Sequence, residues 1–192
     1  MSERAVERAN EWDGRDRRLP EPPPGVSRQS VEPWQDPAIA AGLDDWQNAV
    51  MRLDALDPVT TEVVRLRCAT SHDCRFCRTV RLEVDGARAI DEATAGLVAR
   101  SEAEALTSRH AAAMRLADAM MTQPGWIDDE LVVALHRHFT PAELLEMSLD
   151  VMKFSHQKIK VALGLDEPMR PDGGLVDFAI DAAGRPAFGV PK

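Results

Sequence analysis

The sequence predicts an all-α protein, a helical bundle of about six or seven helices, one of which starts at the only motif with obvious chemistry. Apolar residues recur at steps of three and four in several segments, as they do on one face of a helix. Asp-Pro, Thr-Pro and Pro-Gly pairs stand at the ends of these segments, where helices begin and stop. No convincing pair of strands accompanies them, so we expect helices alone.

Composition divides the chain into three predicted regions. Residues 1–37 are polar and rich in Pro and Arg, which predicts a disordered or partner-wrapping arm. Residues 38–166 carry the helical patterns and are expected to form one domain with a sizeable core. Residues 167–192 are again rich in Pro and Gly and predict an extended tail. The apolar patch of this tail, Leu175 to Ile180, is a candidate contact with a neighbouring subunit.

The clearest helix starts lie on either side of the motif. Asp57-Pro58 opens one helix, with Asp as the cap and Pro in the first turn, and Glu62 lies beside its apolar face. The predicted buried residues of this helix are Val59, Val63 and Leu66. Thr140 and Glu143 form a capping box with Pro in the first helical position. That helix is predicted to continue to Gly164 and to bury Leu145, Leu149, Met152, His156, Ile159 and Leu163.

The motif itself is a C-x-x-C pair, Cys74 and Cys77. If Asp73 caps a helix at this point, the first turn holds both sulfurs close together near free backbone N–H groups. Such an environment favours the thiolate over the thiol. The helix is predicted to continue through Val84 and to stop at the Asp-Gly pair that follows.

Zinc binding and a purely structural role are the alternatives to redox chemistry. Tetrahedral zinc needs four ligands, yet His72 is the one further local candidate, and no second C-x-x-C follows. His136 and His138 are two apart and point to different sides of a helix. Buried free thiols are common core residues, and Cys68 is interpreted in this way. For the C-x-x-C pair we expect redox chemistry, with no metal and no cofactor.

Two arginines and one histidine are candidates for supporting the thiols. Arg78 lies four residues after Cys74 and Arg81 four after Cys77, within side-chain reach on a helix. The alternative is that these arginines are solvated or paired with nearby acids. His156, on the predicted apolar stripe, is either a satisfied core histidine or a base that faces the thiols.

Charge and hydropathy exclude several function classes. The formal net charge of −9 disfavours a nucleic acid or an anionic membrane as the main partner. There is no apolar run of about 18 residues and no basic-then-apolar start, so we expect a cytoplasmic protein.

The spacing of one acid and the two cysteines supports a family resemblance. Glu62, Cys74 and Cys77 match the pattern Glu-x11-Cys-x2-Cys-x3-His, and on these residues the chain resembles the alkylhydroperoxidase D-like branch of the carboxymuconolactone decarboxylase-like family. The resemblance extends from roughly Trp34 to Glu167. It implies an all-helical fold and a homo-oligomer, often a trimer or a multiple of one. It also implies that Cys77 is attacked by peroxide and that Cys74 resolves the sulfenic acid to a disulfide.

Two positions depart from the family pattern. Arg81 stands where the family has its histidine, and Phe76 stands where Tyr or His is common. Arginine cannot take a proton from the thiol at ordinary pH, although it can hold a thiolate electrostatically. Restoring the histidine, by Arg81→His, is therefore predicted to raise thiol reactivity, provided that Glu62 reaches position 81.

The sequence thus predicts a thiol-disulfide oxidoreductase that reduces hydroperoxides or a partner's disulfide and is recycled by a thiol reductant. The catalytic candidates are Cys74, Cys77, Glu62, Arg81 and His156. Loss of the family histidine is expected to weaken the activity. One alternative is a non-catalytic oligomeric module or redox sensor that keeps the pair, and another is decarboxylase-like activity on a lactone.

Overall fold

The regular structure of the protein consists mainly of helices, together with one small sheet. The structure is a computed structural model that describes residues 17–189. The helices are α1 Pro37–Val50, α2 Pro58–Ser71, α3 Arg75–Arg78, α4 Glu92–Ala99, α5 Ser108–Thr122, α6 Asp129–His138, α7 Pro141–Ser155 and α8 Lys158–Ala162. The strands are β1 Val80–Val84, β2 Ala87–Arg88, β3 Val176–Ile180 and β4 Pro186–Phe188.

The predicted all-α class is wrong, because these strands form one four-stranded sheet in the order β2-β1-β3-β4. Val80 pairs with Val176 in parallel β1 and β3, whereas β2 and β4 are antiparallel to their neighbours. The Asp-Gly pair that was interpreted as a helix stop is the turn of the β1–β2 hairpin. Asp85 and Gly86 have φ values of 53° and 80°, which such a turn requires.

The C-terminal segment forms half of the sheet. The apolar patch that was a candidate subunit contact is β3, and it packs on its own chain. Its Val176 and Phe178 are buried with Val80 and Leu82 of β1. Residues 167–189 therefore take part in the fold, although the sequence predicted an extended tail there.

Part of the predicted N-terminal arm also packs on its own chain, while residues 1–16 lie outside the described residues. The Arg18 backbone N–H donates to the Leu163 carbonyl at 3.0 Å. The Gln29 side chain donates to the Glu167 carbonyl at 2.7 Å. Residues 17–36 thus contact the segment that follows α8.

The main core lies where α2, α5 and α7 meet, with α2 in the centre. Of the predicted inward residues of α2, Val63 and Leu66 are buried, whereas Val59 is only partly buried. The helix α5 contributes buried Ala113, Leu116 and Ala117. The predicted start of α7 is confirmed. Thr140 and Glu143 form the full capping box, with each side chain bonded to the other residue's backbone N–H.

The predicted inward face of α7 is wrong. Leu145 and Met152 are 64% and 56% exposed, and Ile159 is 47% exposed on the separate helix α8. The buried residues of α7 are Glu146, Met147, Asp150, Val151 and Phe154. Glu146 faces inward because its carboxylate accepts the Ala55 backbone N–H at 2.8 Å. The helix therefore buries the face that carries this hydrogen-bonded carboxyl and exposes the face that carries Leu145 and Met152.

None of the helices in residues 17–189 combines the length and the apolar character that a membrane crossing requires.

Candidate functional site

The C-x-x-C pair begins directly where α2 ends. Asp73 takes the left-handed conformation, with φ 51°, and its N–H donates to the Thr70 carbonyl at 3.0 Å. The Cys74 N–H reaches back to the Ala69 carbonyl at 2.9 Å. These two bonds form a Schellman motif, which turns the chain sharply after the helix. Asp73 is therefore part of a helix end, whereas the sequence predicted it to be the cap of the next helix.

The two thiols lie side by side across this turn. The Sγ atoms of Cys74 and Cys77 are 2.7 Å apart. Cys74 is itself the N-cap of α3, and its Sγ accepts the Cys77 backbone N–H at 3.2 Å. The predicted long central helix is wrong, since α3 has four residues and β1 begins at Val80. A helix this short contributes little dipole, so other groups must stabilise a thiolate.

An acid from a distant part of the chain holds the turn in place. Asp166 accepts the Arg75 backbone N–H at Oδ2 and the Arg75 guanidinium at Oδ1, both at 2.8 Å. The Asp166 carbonyl accepts the Phe76 N–H at 2.9 Å. Both N–H groups lie in the first turn of α3, where a helix has no internal acceptor for them. Asp166 therefore positions both sulfurs without touching either.

Glu62 takes part in the site through Arg65. Both are buried, and two bonds of 2.6 Å and 2.7 Å join the guanidinium to the carboxylate. Arg65 also donates to the Cys77 carbonyl at 2.8 Å and to the Val80 carbonyl at 2.7 Å. Four hydrogen bonds thus hold the guanidinium, which also lines the cavity beside the thiols, and they use four of its five N–H groups.

The electrostatics favour ionisation of Cys77 over ionisation of Cys74. A hydrogen bond from the Cys74 thiol lowers the pKa of Cys77, and so do the charges of Arg65 and Lys160, against the opposing effect of burial. The pKa of Cys74 is raised, first because its thiol donates to Cys77 and then because it is buried. Burial raises the pKa of Cys68 to about 12. The geometry therefore favours a thiolate on Cys77.

The thiols lie in a cavity of about 240 Å³ between α1, α2, α7 and the sheet. Its apolar wall includes Met51, Phe76, Phe154, Phe178, Ile180 and Phe188. Its polar groups include Asn48, Arg65, His72 and Lys153. No cluster of three or more His, Cys, Asp or Glu side chains in residues 17–189 has the arrangement of a metal site.

The comparisons with known proteins give two relatives and no family. No family model matches the sequence, and no solved structure matches it. Two uncharacterized proteins, from two strains of Mycobacterium tuberculosis, are each 36% identical to this chain over 155 residues. The matched part is 78% of this chain and 53% of each relative. The chain thus spans about half the length of the curated relatives it matches.

The predicted arginines are paired away from the sulfurs. Arg81 donates to the two carboxylate oxygens of Glu92, each at 2.9 Å. It lies on β1 next to Val80, which lines the cavity, and neighbouring strand residues point to opposite faces. Arg78 forms an exposed ion pair with Asp73 at 2.9 Å.

The two histidines also differ from expectation. His156 follows the last residue of α7 and lines a separate cavity with Leu19, Trp34 and Leu163. His72 lies in the thiol cavity, where its Nε2 is 3.1 Å from Ser155 Oγ and burial lowers its pKa to about 4. Of the predicted catalytic residues, the structure therefore brings Cys74 and Cys77 together and connects Glu62 to them through Arg65. Arg81 and His156 lie elsewhere.

Sequence reasoning did not single out Arg65, Lys153 or Asp166 as site residues. Arg65 had one usable signal, because it lies three residues after Glu62 on a predicted helix, where opposite charges meet. Lys153 and Asp166 had none, since their relation to the cysteines depends on how α7 and the chain after α8 pack.

Proposed function

We propose that this chain is a thiol-disulfide oxidoreductase related to the alkylhydroperoxidase D-like proteins, in which Cys77 attacks and Cys74 resolves. The strongest support for this proposal is the position of the two sulfurs. The buried Cys74 thiol lies 2.7 Å from Cys77 Sγ, at a cavity that Arg65 also lines. The half-buried Cys77 is the more accessible sulfur and has the lowered pKa, and both properties favour it as the nucleophile.

The chemistry balances with either class of oxidant. With a hydroperoxide, the Cys77 thiolate takes the terminal oxygen and the O–O bond breaks. The departing alkoxide takes up a proton and leaves as the alcohol. The Cys74 thiol then displaces water from the Cys77 sulfenic acid to give the disulfide. With a partner's disulfide, Cys77 forms a mixed disulfide and releases one thiol, and Cys74 then releases the second. A thiol reductant restores the pair.

The remaining parts of the proposal concern the protein's surroundings. It places the protein in the reducing cytoplasm, where a C-x-x-C pair stays available for catalysis, and it requires no cofactor. It makes the protein a homo-oligomer, often a trimer or a multiple of one in proteins of the resembled type. The exposed Leu145 and Met152, two turns apart on α7, support a contact with a second copy.

Mass mapping and sulfenic acid trapping test the proposal. After mild oxidation with hydroperoxide, we expect a reversible disulfide between Cys74 and Cys77, with Cys68 reduced. In Cys74→Ser, dimedone should trap a sulfenic acid on Cys77, whereas Cys77→Ser should give no adduct on Cys74. Cys68→Ser is the matched control and should behave as the wild type does.

Two results would contradict the proposal. A dimedone adduct on Cys74 alone would reverse the roles of the two sulfurs. A disulfide that forms once, with no turnover of hydroperoxide or of a small disulfide in the presence of dithiothreitol, would instead indicate a redox sensor.

A further inference from the structure

Thiol chemistry at this site needs a group that moves protons. Cys77 must lose a proton before it attacks, and the departing alkoxide or thiolate must gain one. The side chains that the sequence suggested for this task are occupied or, like His156, line a separate cavity. Arg81 is paired with Glu92 on the far face of β1, and Glu62 is bonded to Arg65. His72 has a pKa of about 4, so its imidazole is neutral at pH 7 and is a weak base.

Lys153 lies in the same cavity as the two sulfurs. It projects from α7, with its Nζ 4.6 Å from the centre of the Phe154 ring. Its side chain makes no hydrogen bond or salt bridge with any residue of the described range 17–189. A lysine that packs on apolar surface usually extends its ammonium into water, so one that lines a thiol cavity and forms no ion pair is uncommon.

The charged groups around Lys153 suit it to exchange a proton. Asp150 faces it from its own helix, Arg65 from α2 and Cys77 from α3, and Asp44 of α1 lines the same cavity. Burial lowers the pKa of Lys153 to about 8, with Arg65 acting in the same direction and Asp150 and Cys77 against it. At pH 7 about one molecule in ten then carries the neutral amine, and the rest carry the acid. Because Glu62 already neutralises Arg65, a charged Lys153 also balances the charge of the Cys77 thiolate.

We propose that Lys153 is the acid–base residue of the thiol pair, in the place that the family pattern gives to histidine. This proposal rests on the function proposed above. The neutral amine of Lys153 takes the Cys77 proton, which leaves a thiolate and an ammonium. The thiolate then attacks the hydroperoxide, and the ammonium returns the proton to the alkoxide as the O–O bond breaks. With a disulfide substrate, the same proton goes to the departing thiolate.

The test compares two reactions of Cys77 over pH 5 to 10. Oxidation by tert-butyl hydroperoxide needs a thiolate and a proton for the leaving group, whereas alkylation by iodoacetamide needs the thiolate alone. In the wild type we expect the oxidation rate to rise with the Cys77 thiolate and to fall above about pH 8, as Lys153 loses its proton. The alkylation rate should not fall there.

Two substitutions separate a proton carrier from a fixed charge. Lys153→Met should slow oxidation by about 10² or more and remove the fall above pH 8, while alkylation changes by less than about tenfold. Lys153→Arg keeps the charge but cannot release a proton, so alkylation should stay near wild type while oxidation is slow. Lys158→Met, at an exposed lysine of α8, is the matched control. Circular dichroism and thermal melting verify that each variant is folded.

Each outcome bears on one of the two proposals. If the wild type reacts and Lys153→Met oxidises as fast, the role of Lys153 is overturned while the proposed function stands. If Lys153→Met loses both reactions equally, or if Lys153→Arg oxidises as fast as the wild type, Lys153 acts as a charge and not as an acid–base group. If the wild type turns over neither the hydroperoxide nor a small disulfide, the proposed function itself fails.

Discussion

Arg65 and Arg81 carry the same guanidinium, but their partners give them different roles. Glu62 and two backbone carbonyls fix Arg65 beside the thiols. Glu92 and the carbonyls of Arg78 and Val80 fix Arg81 on the other face of β1. The family pattern places the residue that supports the thiols at position 81, because it counts positions along the sequence. In the structure the residue beside the thiols is Arg65, one helical turn after Glu62.

This difference reverses the expectation for Arg81→His. A histidine at position 81 lies on the strand face opposite the cavity, and Glu62 is bonded to Arg65 and to the Leu82 N–H at 3.3 Å. We therefore expect Arg81→His to oxidise with tert-butyl hydroperoxide no faster than Arg81→Ala, within about twofold. Stopped-flow rates at pH 7 measure this. A histidine variant at least tenfold faster than the alanine variant would show that position 81 does reach the thiols.

At the scale of elements, α7 carries a buried acid whose titration should make the free energy of unfolding depend on pH. Asp150 is buried, and its Oδ2 has no hydrogen-bond partner among the described residues. Burial raises its pKa to about 7, with the Glu146 charge acting in the same direction and Lys153 against it. The unfolded chain releases this proton near pH 4, so the folded state holds more protons between about pH 4 and 7, and stability should fall as the pH rises through that window.

Asp150→Asn removes this titration. We expect the free energy of unfolding of the variant, relative to the wild type, to gain up to about 4 kcal/mol between pH 4 and pH 8. Urea denaturation at several pH values measures the difference. Asp150→Leu is the matched variant, because it removes the same charge without adding an amide that needs partners. If the wild type and both variants show the same pH dependence, Asp150 is ionised in the folded protein.

The sequence predicted elements well where one local signal decides them and poorly where packing decides. The start of α7 was predictable because Thr140 and Glu143 bond within one turn. Its buried face was not, because the partner of Glu146 is the backbone of Ala55, far away in the chain. The strand β1 was missed because it follows α3 after one residue and its parallel partner begins at Val176. The Asp-Gly pair predicts a turn, but such a pair ends a helix as readily as it joins two strands.

For the candidate site as well, local signals were predictable and packing was not. The spacing of Cys74 and Cys77 was enough to place their sulfurs together, because both lie in one turn. The supporting groups come from three separated elements, and nothing in the spacing of Arg65, Lys153 and Asp166 shows that they converge.

At the scale of the whole molecule, the exposed face of α7 predicts self-association. Leu145 and Met152 are two turns apart and so lie on one side of the helix. We expect light scattering at micromolar concentration to give three times the 21.2 kDa chain mass or a multiple of that value. Changing both residues to Lys should lower the measured mass and leave the circular dichroism spectrum unchanged.

The control for this experiment is Trp126→Lys. Trp126 is also an exposed apolar residue, but it lies in the turn before α6. Its substitution should leave the mass unchanged. A wild-type mass of 21.2 kDa, that of the monomer, would contradict the prediction.

The parallel pairing of β1 with β3 also sets an order in time. During synthesis at about 5–20 residues per second, roughly 5–20 s pass between the appearance of Cys77 and that of β4. In that interval the nascent chain carries both thiols without Phe178 and Phe188, which later wall the cavity. Any selectivity that the wall gives is therefore acquired last. Until then, neither Phe178 nor Phe188 limits the access of oxidants to the two thiols.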